Sequence, residues 1–121
     1  MSSLYVIGGQ QRSARPLLAD DQHWYEYQKG LILQVMPETG AAERWVEYVS
    51  PPGACVAGDP VLFKCGTLHG RRLYACTQTE VLIYDLPGFE LAGYVSLPCF
   101  NDVHHVRPTP AGNLLVASAG L

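Results

Sequence analysis

The chain has 121 residues, the size of one domain, and is 48% hydrophobic but only 16% charged, which excludes a disordered chain. Its net charge is −3 and its Lys and Arg residues are scattered, which argues against a nucleic-acid-binding surface. No apolar run is long enough for a membrane span, and the first residues do not resemble a signal peptide. A cytoplasmic protein without a membrane partner is therefore expected.

The first segment, residues 1–52, predicts a partial unit of β-structure. Residues 4–9 are predicted to form a strand, and residues 32–52 a strand, a turn containing Pro37 and a closing strand. Between them lies a polar and aromatic stretch, residues 10–30, which we expect to be a long loop. A loop of this length is usually functional, but a short helix or hairpin that only covers the sheet edge is the alternative.

The middle segment, residues 53–98, predicts a complete unit of four antiparallel strands. β-Branched and aromatic residues alternate in it with Gly- and Pro-containing turns. Its second half, residues 82–98, also shares with residues 32–52 a strand, a Pro-containing turn and a closing strand. The four strands are expected at about residues 61–66, 71–77, 80–85 and 89–96.

The last segment repeats the first half of the middle one. Residues 60–79 and 102–121 align without a gap at an offset of 42, with Gly70 on Gly112. Residues 99–121 are therefore predicted to form an inner hairpin of a further unit, with its turn at residues 109–113.

A period of about 42 residues with four short strands is typical of β-propeller blades, although a β-sandwich or meander is the alternative. The segment NDVHHVRPTPAGNLLVASAGL resembles the inner hairpin of six-bladed propellers of the NHL-repeat, gluconolactonase-like and arylsulfotransferase-like type. The matching residues are Asp102, His104, His105, Pro108, Pro110, Gly112, Asn113, Leu114, Leu115 and Val116. The resemblance implies an all-β chain with about two blades.

Two blades do not close a propeller, which needs at least four. Either the remaining blades belong to a longer chain, or copies of this chain form a homo-oligomer. In the second case the last hairpin of one copy is completed by the strand pair at residues 32–52 of the next, so that three copies would give six blades.

The four cysteines lie at positions 55, 65, 76 and 99 and form no CxxC pair. A structural zinc site needs two close pairs of ligands, so this spacing disfavours one. Thiols stay reduced in the cytoplasm, and free cysteines are commonly buried. Four reduced, mostly buried thiols are therefore expected.

The candidate catalytic residues lie at the start of the predicted inner hairpin, where propellers place their channel mouth. They are Asp102, His104 and His105. Both histidines are also candidate metal ligands, since neutral imidazole binds Zn, Fe or Cu and its pKa near 6.5 suits proton transfer. Adjacent residues of a regular strand point to opposite faces, so the two imidazoles are not expected to bind one ion within a chain.

Further polar and aromatic residues are candidates for ligand binding at the same end of the sheets. They are Asn101, Arg107, His23, Trp24, Tyr25, Asp20, Asp21 and Glu80. Each candidate also has a purely structural interpretation. A histidine can pack between blades, an aspartate can cap a turn, an aromatic ring can be buried, and an arginine can be solvated.

Two function classes follow. The first is a propeller module that binds a small molecule or a protein through loops at the channel mouth. The alternative is a metal-dependent enzyme, similar to the lactonase, hydrolase or lyase propellers, with histidines at the central channel. The cofactor is unknown, and a divalent metal is the candidate. The preceding unit has Leu62 and Phe63 in place of the two histidines, so the repeat itself does not require them.

Overall fold

The structure, a computed structural model, describes residues 3–11, 27–55 and 59–120. Its regular elements within these ranges are β-strands, and all strand pairs are antiparallel, which confirms the all-β prediction. The strands are β1 (Leu4–Gln11), β2 (Tyr27–Val35), β3 (Ala42–Tyr48), β4 (Cys65–His69), β5 (Arg72–Cys76), β6 (Val81–Asp85), β7 (Glu90–Val95), β8 (Val103–Pro108) and β9 (Leu114–Ser118). The described ranges contain no helix that could span a membrane.

The chain divides into two compact units, Met1–Leu62 and Phe63–Leu121. In the first unit, β1, β2 and β3 form a three-stranded sheet in chain order. The expected strand at residues 4–9 is confirmed, but the β1–β2 ladder continues to the pair Gln11–Tyr27. Ladder hydrogen bonds satisfy backbone groups whatever side chains they carry, so the pairing extends beyond the apolar residues. The ends of the expected loop 10–30 are therefore strand, and residues 12–26 lie outside the described residues.

The second unit contains a four-stranded sheet in the order β4-β5-β6-β7. Its last three strands occupy the expected positions, but β4 starts four residues later than the expected strand at residues 61–66. The cause is a tight turn, since His69 pairs with Arg72 and only Gly70 and Arg71 lie between them. Gly70 has a φ of 59°, which suits the first central position of a two-residue hairpin. Such a turn pairs the residues next to it and fixes the register of β4.

A two-stranded sheet, β8-β9, completes the second unit. The predicted turn between these strands is confirmed: the Thr109 N–H donates to the Asn113 carbonyl at 2.8 Å, and the Gly112 N–H donates to the Thr109 carbonyl at 3.0 Å. β9 lies 42 residues after β5, at the offset of the sequence repeat. The longer turn explains why β8 and β4 do not align at that offset.

β8 packs on the four-stranded sheet, where it contacts β4 and β5. Val103 and Val106 are fully buried and form a core cluster with Tyr74, Cys76 and Val81. In a regular strand, residues three apart would point to opposite faces. Both valines face the core because the register of β8 shifts between Val103 and His105, a β-bulge. The bulge thus lets this hairpin bury two valines, each worth about 1.5–3 kcal/mol.

The four thiols are free, but their burial differs from the expectation. Only Cys76 is buried, while Cys55 and Cys65 are half-buried and Cys99 is exposed. The prediction of mostly buried cysteines is therefore wrong. Cys99 lies in the connection between β7 and β8, where the backbone runs at the surface.

Candidate functional site

Two connections of the second unit meet at the start of β8. The Val103 N–H donates to the carbonyl of Gln78 in the β5–β6 turn, at 2.9 Å. The Ser96 hydroxyl, just after β7, donates to the Thr79 carbonyl of the same turn, also at 2.9 Å. The β5–β6 turn and the β7–β8 connection therefore lie side by side. We call these two connections together with the start of β8, residues 77–80 and 96–104, the loop surface.

Asn101 is exposed, and its backbone is held against the end of β9. Its N–H donates to the Ser118 hydroxyl oxygen at 3.1 Å, and the same hydroxyl donates to the Asn101 carbonyl at 2.8 Å. The Gly120 N–H donates to that carbonyl at 3.0 Å. The position of the Asn101 backbone is thus set by the hairpin.

Asp102 has a φ of 56°, in the left-handed region that Asp and Asn tolerate better than most residues. Its carboxylate forms an ion pair with the ammonium group of Lys64, which precedes β4. Its carbonyl accepts a hydrogen bond from the Ala119 N–H at 3.2 Å. The pair is half-exposed, so its contribution to stability is small, about 0–1 kcal/mol. The structure therefore gives the Asp102 carboxylate a cationic partner, Lys64.

His104 is the residue that the bulge of β8 leaves without an opposite partner in β9, and it is exposed. Its Nδ1 lies 3.1 Å from the carbonyl oxygen of Asp102. A carbonyl only accepts hydrogen bonds, so the proton of this contact belongs to Nδ1. In the neutral ring Nε2 is then left as an acceptor at the loop surface.

His105 is half-buried and turns towards the four-stranded sheet. Its Nδ1 lies 3.4 Å from Sγ of Cys65, the first residue of β4. The imidazole thus packs between β8 and β4, which is a structural position of the kind considered for a histidine in the sequence. It also holds a ring nitrogen against a thiol, a contact that the sequence pattern did not predict.

The two histidines do not share a ligand-binding position. Nδ1 of His104 contacts a backbone carbonyl, whereas Nδ1 of His105 contacts a thiol on another strand. Within the described ranges no three His, Cys, Asp or Glu side chains are placed to hold a metal ion. The described residues of one chain therefore do not bring such a ligand set together, and we derive no chemistry through a metal.

Glu80 occupies a structural position in the second unit. It is fully buried at the end of the β5–β6 turn. Its Oε1 accepts a hydrogen bond from the Thr77 hydroxyl and its Oε2 accepts one from the Tyr94 hydroxyl, both at 2.8 Å. A ligand would reach this carboxylate only by displacing these hydroxyls. The Glu80 carboxylate thus links the β5–β6 turn, through Thr77, to β7, through Tyr94.

Of the remaining predicted ligand-binding residues, Arg107 is exposed on β8, where it pairs with Leu115 of β9. The other five lie outside the described residues. They are Asp20, Asp21, His23, Trp24 and Tyr25. The structure thus brings together Asn101, Asp102 and His104 at the loop surface.

Two residues of this region, Lys64 and Cys65, did not stand out in the sequence. One signal for Cys65 was available. Cys65 lies five residues before Gly70, and Cys76 lies five residues after Arg71. In a hairpin with a two-residue turn, this symmetric spacing places the two thiols directly opposite each other.

Comparison with models of protein families, with curated proteins and with solved structures finds no match to this chain.

Proposed function

We propose that this chain is a propeller-type module, which binds a small molecule or a protein at its loop surface and forms its ring with further copies of itself. The observation that carries the proposal is the sequence of sheets. A three-stranded, a four-stranded and a two-stranded antiparallel sheet follow one another along the chain, each with its strands in chain order. Such a succession of meanders is typical of propeller blades.

The packing of β8 supports the same proposal. Successive blades of a propeller stack face to face, and β8 packs through Val103 and Val106 onto the face of the four-stranded sheet. The second and third sheets also repeat at the sequence offset of 42, since β5 and β9 align. A β-sandwich would also place two sheets face to face, but it gives no reason for this period.

Assembly with a second copy is proposed at the edges of the incomplete sheets. β2 already pairs with β1 and with β3, so β9 of a second copy would add to the outer edge of β1, and the shared blade would have five strands instead of four. Both strands expose apolar side chains, Leu4 and Val6 on β1 and Leu114 and Leu115 on β9. Exposed apolar edge strands are templates for pairing with another chain.

Lysine at the proposed interface tests the assembly. Val6→Lys places a charge on the β1 edge, and sedimentation velocity should show it as a monomer of 13.2 kDa, while the unchanged chain sediments as a multiple of that mass. Leu91→Lys is the matched control, because Leu91 is exposed on β7, an edge strand that the proposal does not use. If both variants keep the mass of the unchanged chain, the β1 edge is not the interface.

The binding part of the proposal has its own test. The exposed Asn101 and His104 make the loop surface the place where the second unit offers a hydrogen-bonding amide and an imidazole acceptor. In an NMR screen with a library of small polar fragments, we expect the backbone amide chemical shifts of residues 77–80 and 96–104 to change. Changes confined to other strands would contradict this assignment.

We place the module in the cytoplasm, with its four free thiols as support. The net charge of −3 supports a small molecule or a protein, rather than a nucleic acid, as the ligand.

A further inference from the structure

Cys65 and Cys76 face each other across the β4–β5 hairpin. They are direct partners in the antiparallel ladder, so their side chains point to the same face of the sheet. Directly paired residues have Cα atoms about 4.5–5.5 Å apart. A disulfide bridges Cα atoms about 4.4–6.8 Å apart, so the backbone spacing of this pair lies in the range that a disulfide can span.

The two thiols differ in access. Cys76 is fully buried in the core cluster, whereas Cys65 is half-buried at the start of β4. Burial, followed by the charge of a Cys65 thiolate, raises the pKa of the Cys76 thiol from 9.0 to about 12. Cys76 therefore stays protonated at neutral pH, and Cys65 is the thiol that a reagent in solution can reach.

His105 gives Cys65 a proton acceptor. Its Nδ1 lies 3.4 Å from Sγ of Cys65, within the range of a sulfur hydrogen bond. The reactive form of cysteine is the thiolate, and an adjacent imidazole that takes the proton increases its population. The ammonium group of Lys64, next to Cys65 in the chain, forms an ion pair with Asp102, which directly precedes β8.

From this arrangement we propose that Cys65 and Cys76 form a reversible redox pair, in which His105 activates Cys65 towards hydroperoxides. His105 takes the Cys65 proton, and the thiolate attacks the hydroperoxide. An S–O bond forms, the O–O bond breaks, and the departing alkoxide or hydroxide takes the proton back from His105. The sulfur of Cys65 is oxidised to a sulfenic acid while the hydroperoxide is reduced to an alcohol or water.

Cys76 completes the step from the neighbouring strand. Its sulfur attacks the sulfenic sulfur of Cys65, the S–S bond forms, and the S–O bond breaks. The leaving hydroxide takes the Cys76 proton and becomes water. Two thiols and one hydroperoxide thus give one disulfide, one alcohol or water, and one further water. An external thiol reverses the reaction by thiol–disulfide exchange.

Oxidation would also change the packing of β8. The disulfide removes the Cys65 thiol from its contact with His105 and fixes β4 to β5 beneath Val103 and Val106. The start of β8 and the adjoining loop surface are therefore the region whose structure responds. The proposed activity is independent of whether the chain assembles into a ring.

The test uses the full chain with Cys55→Ser and Cys99→Ser, so that only the two paired thiols remain. One equivalent of hydrogen peroxide should remove two hydrogen atoms from the monomer mass, and a reducing thiol should restore them. Trypsin cleaves after Lys64, Arg71 and Arg72, which separates Cys65 from Cys76, so the disulfide joins two peptides. A product without this joined pair, or one that dithiothreitol does not reduce, overturns the proposal.

The role of His105 is tested by comparison with a histidine outside the site. His105→Gln should slow the loss of the free Cys65 thiol at least about tenfold. His69→Gln should leave the rate unchanged, since His69 is exposed at the other end of β4 from Cys65. Equal rates in the two variants exclude activation by His105.

A measurement on the unsubstituted chain decides the same point if a variant does not fold. Under limiting hydrogen peroxide, followed by alkylation and peptide mass analysis, Cys65 should be oxidised before Cys99. Cys99 is the more exposed thiol, so exposure alone predicts the reverse order. Oxidation of Cys99 first therefore contradicts the proposal.

Discussion

Replacing Val106 by alanine tests the packing of β8 on the four-stranded sheet. Val106 is fully buried in the core cluster with Val103, Tyr74 and Cys76. The substitution removes two methyl groups, worth about 1.6 kcal/mol by transfer from water. The cavity that they leave raises the expected loss in the free energy of unfolding to about 2–3 kcal/mol.

Urea unfolding at one fixed protein concentration measures this loss, with the concentration fixed because association would add to stability. Leu114→Ala is the control, since Leu114 lies on the same hairpin but is 37% exposed. The free energy of unfolding that Leu114→Ala loses should be well under half of the loss in Val106→Ala. If the two variants lose the same stability, Val106 is not buried and the β8–β9 hairpin does not pack as described.

Three further predictions concern single residues of the second unit. Glu80→Ala removes the acceptor of the Thr77 and Tyr94 hydroxyls and should lower the free energy of unfolding in urea by about 1–3 kcal/mol. A residue needed only for ligand binding would leave the urea midpoint unchanged. Because the pKa of Cys76 is raised to about 12, the unfolded chain loses this proton above pH 9 while the folded chain keeps it. The free energy of unfolding should therefore fall as pH rises from 9, by up to about 1.4 kcal/mol per pH unit, and a Cys76→Ala variant with the same slope would refute this. Gly70→Ala places a side chain at a left-handed turn position and should lower the free energy of unfolding by about 1–2 kcal/mol. A thermal midpoint equal to that of the unchanged chain would contradict the tight turn at Gly70.

The sequence was sufficient for most of the strand order. Alternating β-forming residues and Gly-containing turns predicted β5, β6 and β7 close to their observed bounds. The offset of 42 also placed β9, since its apolar residues repeat those of β5. These elements are encoded locally, by side chains that alternate between core and solvent and by turns that only a few residues allow.

The first strand of the middle unit was misplaced for a physical reason. Val61 and Phe63 are two residues apart and both buried, a spacing typical of one face of a strand, but they lie before β4 begins. The tight turn at Gly70 decided which residues pair, and the length of a turn is a backbone property that an alignment of apolar positions does not contain.

The candidate site was only partly accessible from the sequence. The pattern placed Asn101, Asp102 and His104 at the start of the last hairpin, at the same end of the sheets as Glu80. It did not reveal the bulge at His104, because a bulge breaks the period of two on which the strand interpretation relies. Nor did it pair His105 with Cys65, since that contact joins residues 40 positions apart on strands that are not hydrogen-bonded to each other.

Native mass spectrometry of the unchanged chain tests the central proposal, a ring built from copies of this module, most directly. Three copies of 13.2 kDa give six blades and a single closed species of about 40 kDa, which the proposal predicts without larger products. A spectrum that contains only the 13.2 kDa monomer would contradict assembly from copies of this chain, and an open ladder of increasing masses would contradict closure of the ring.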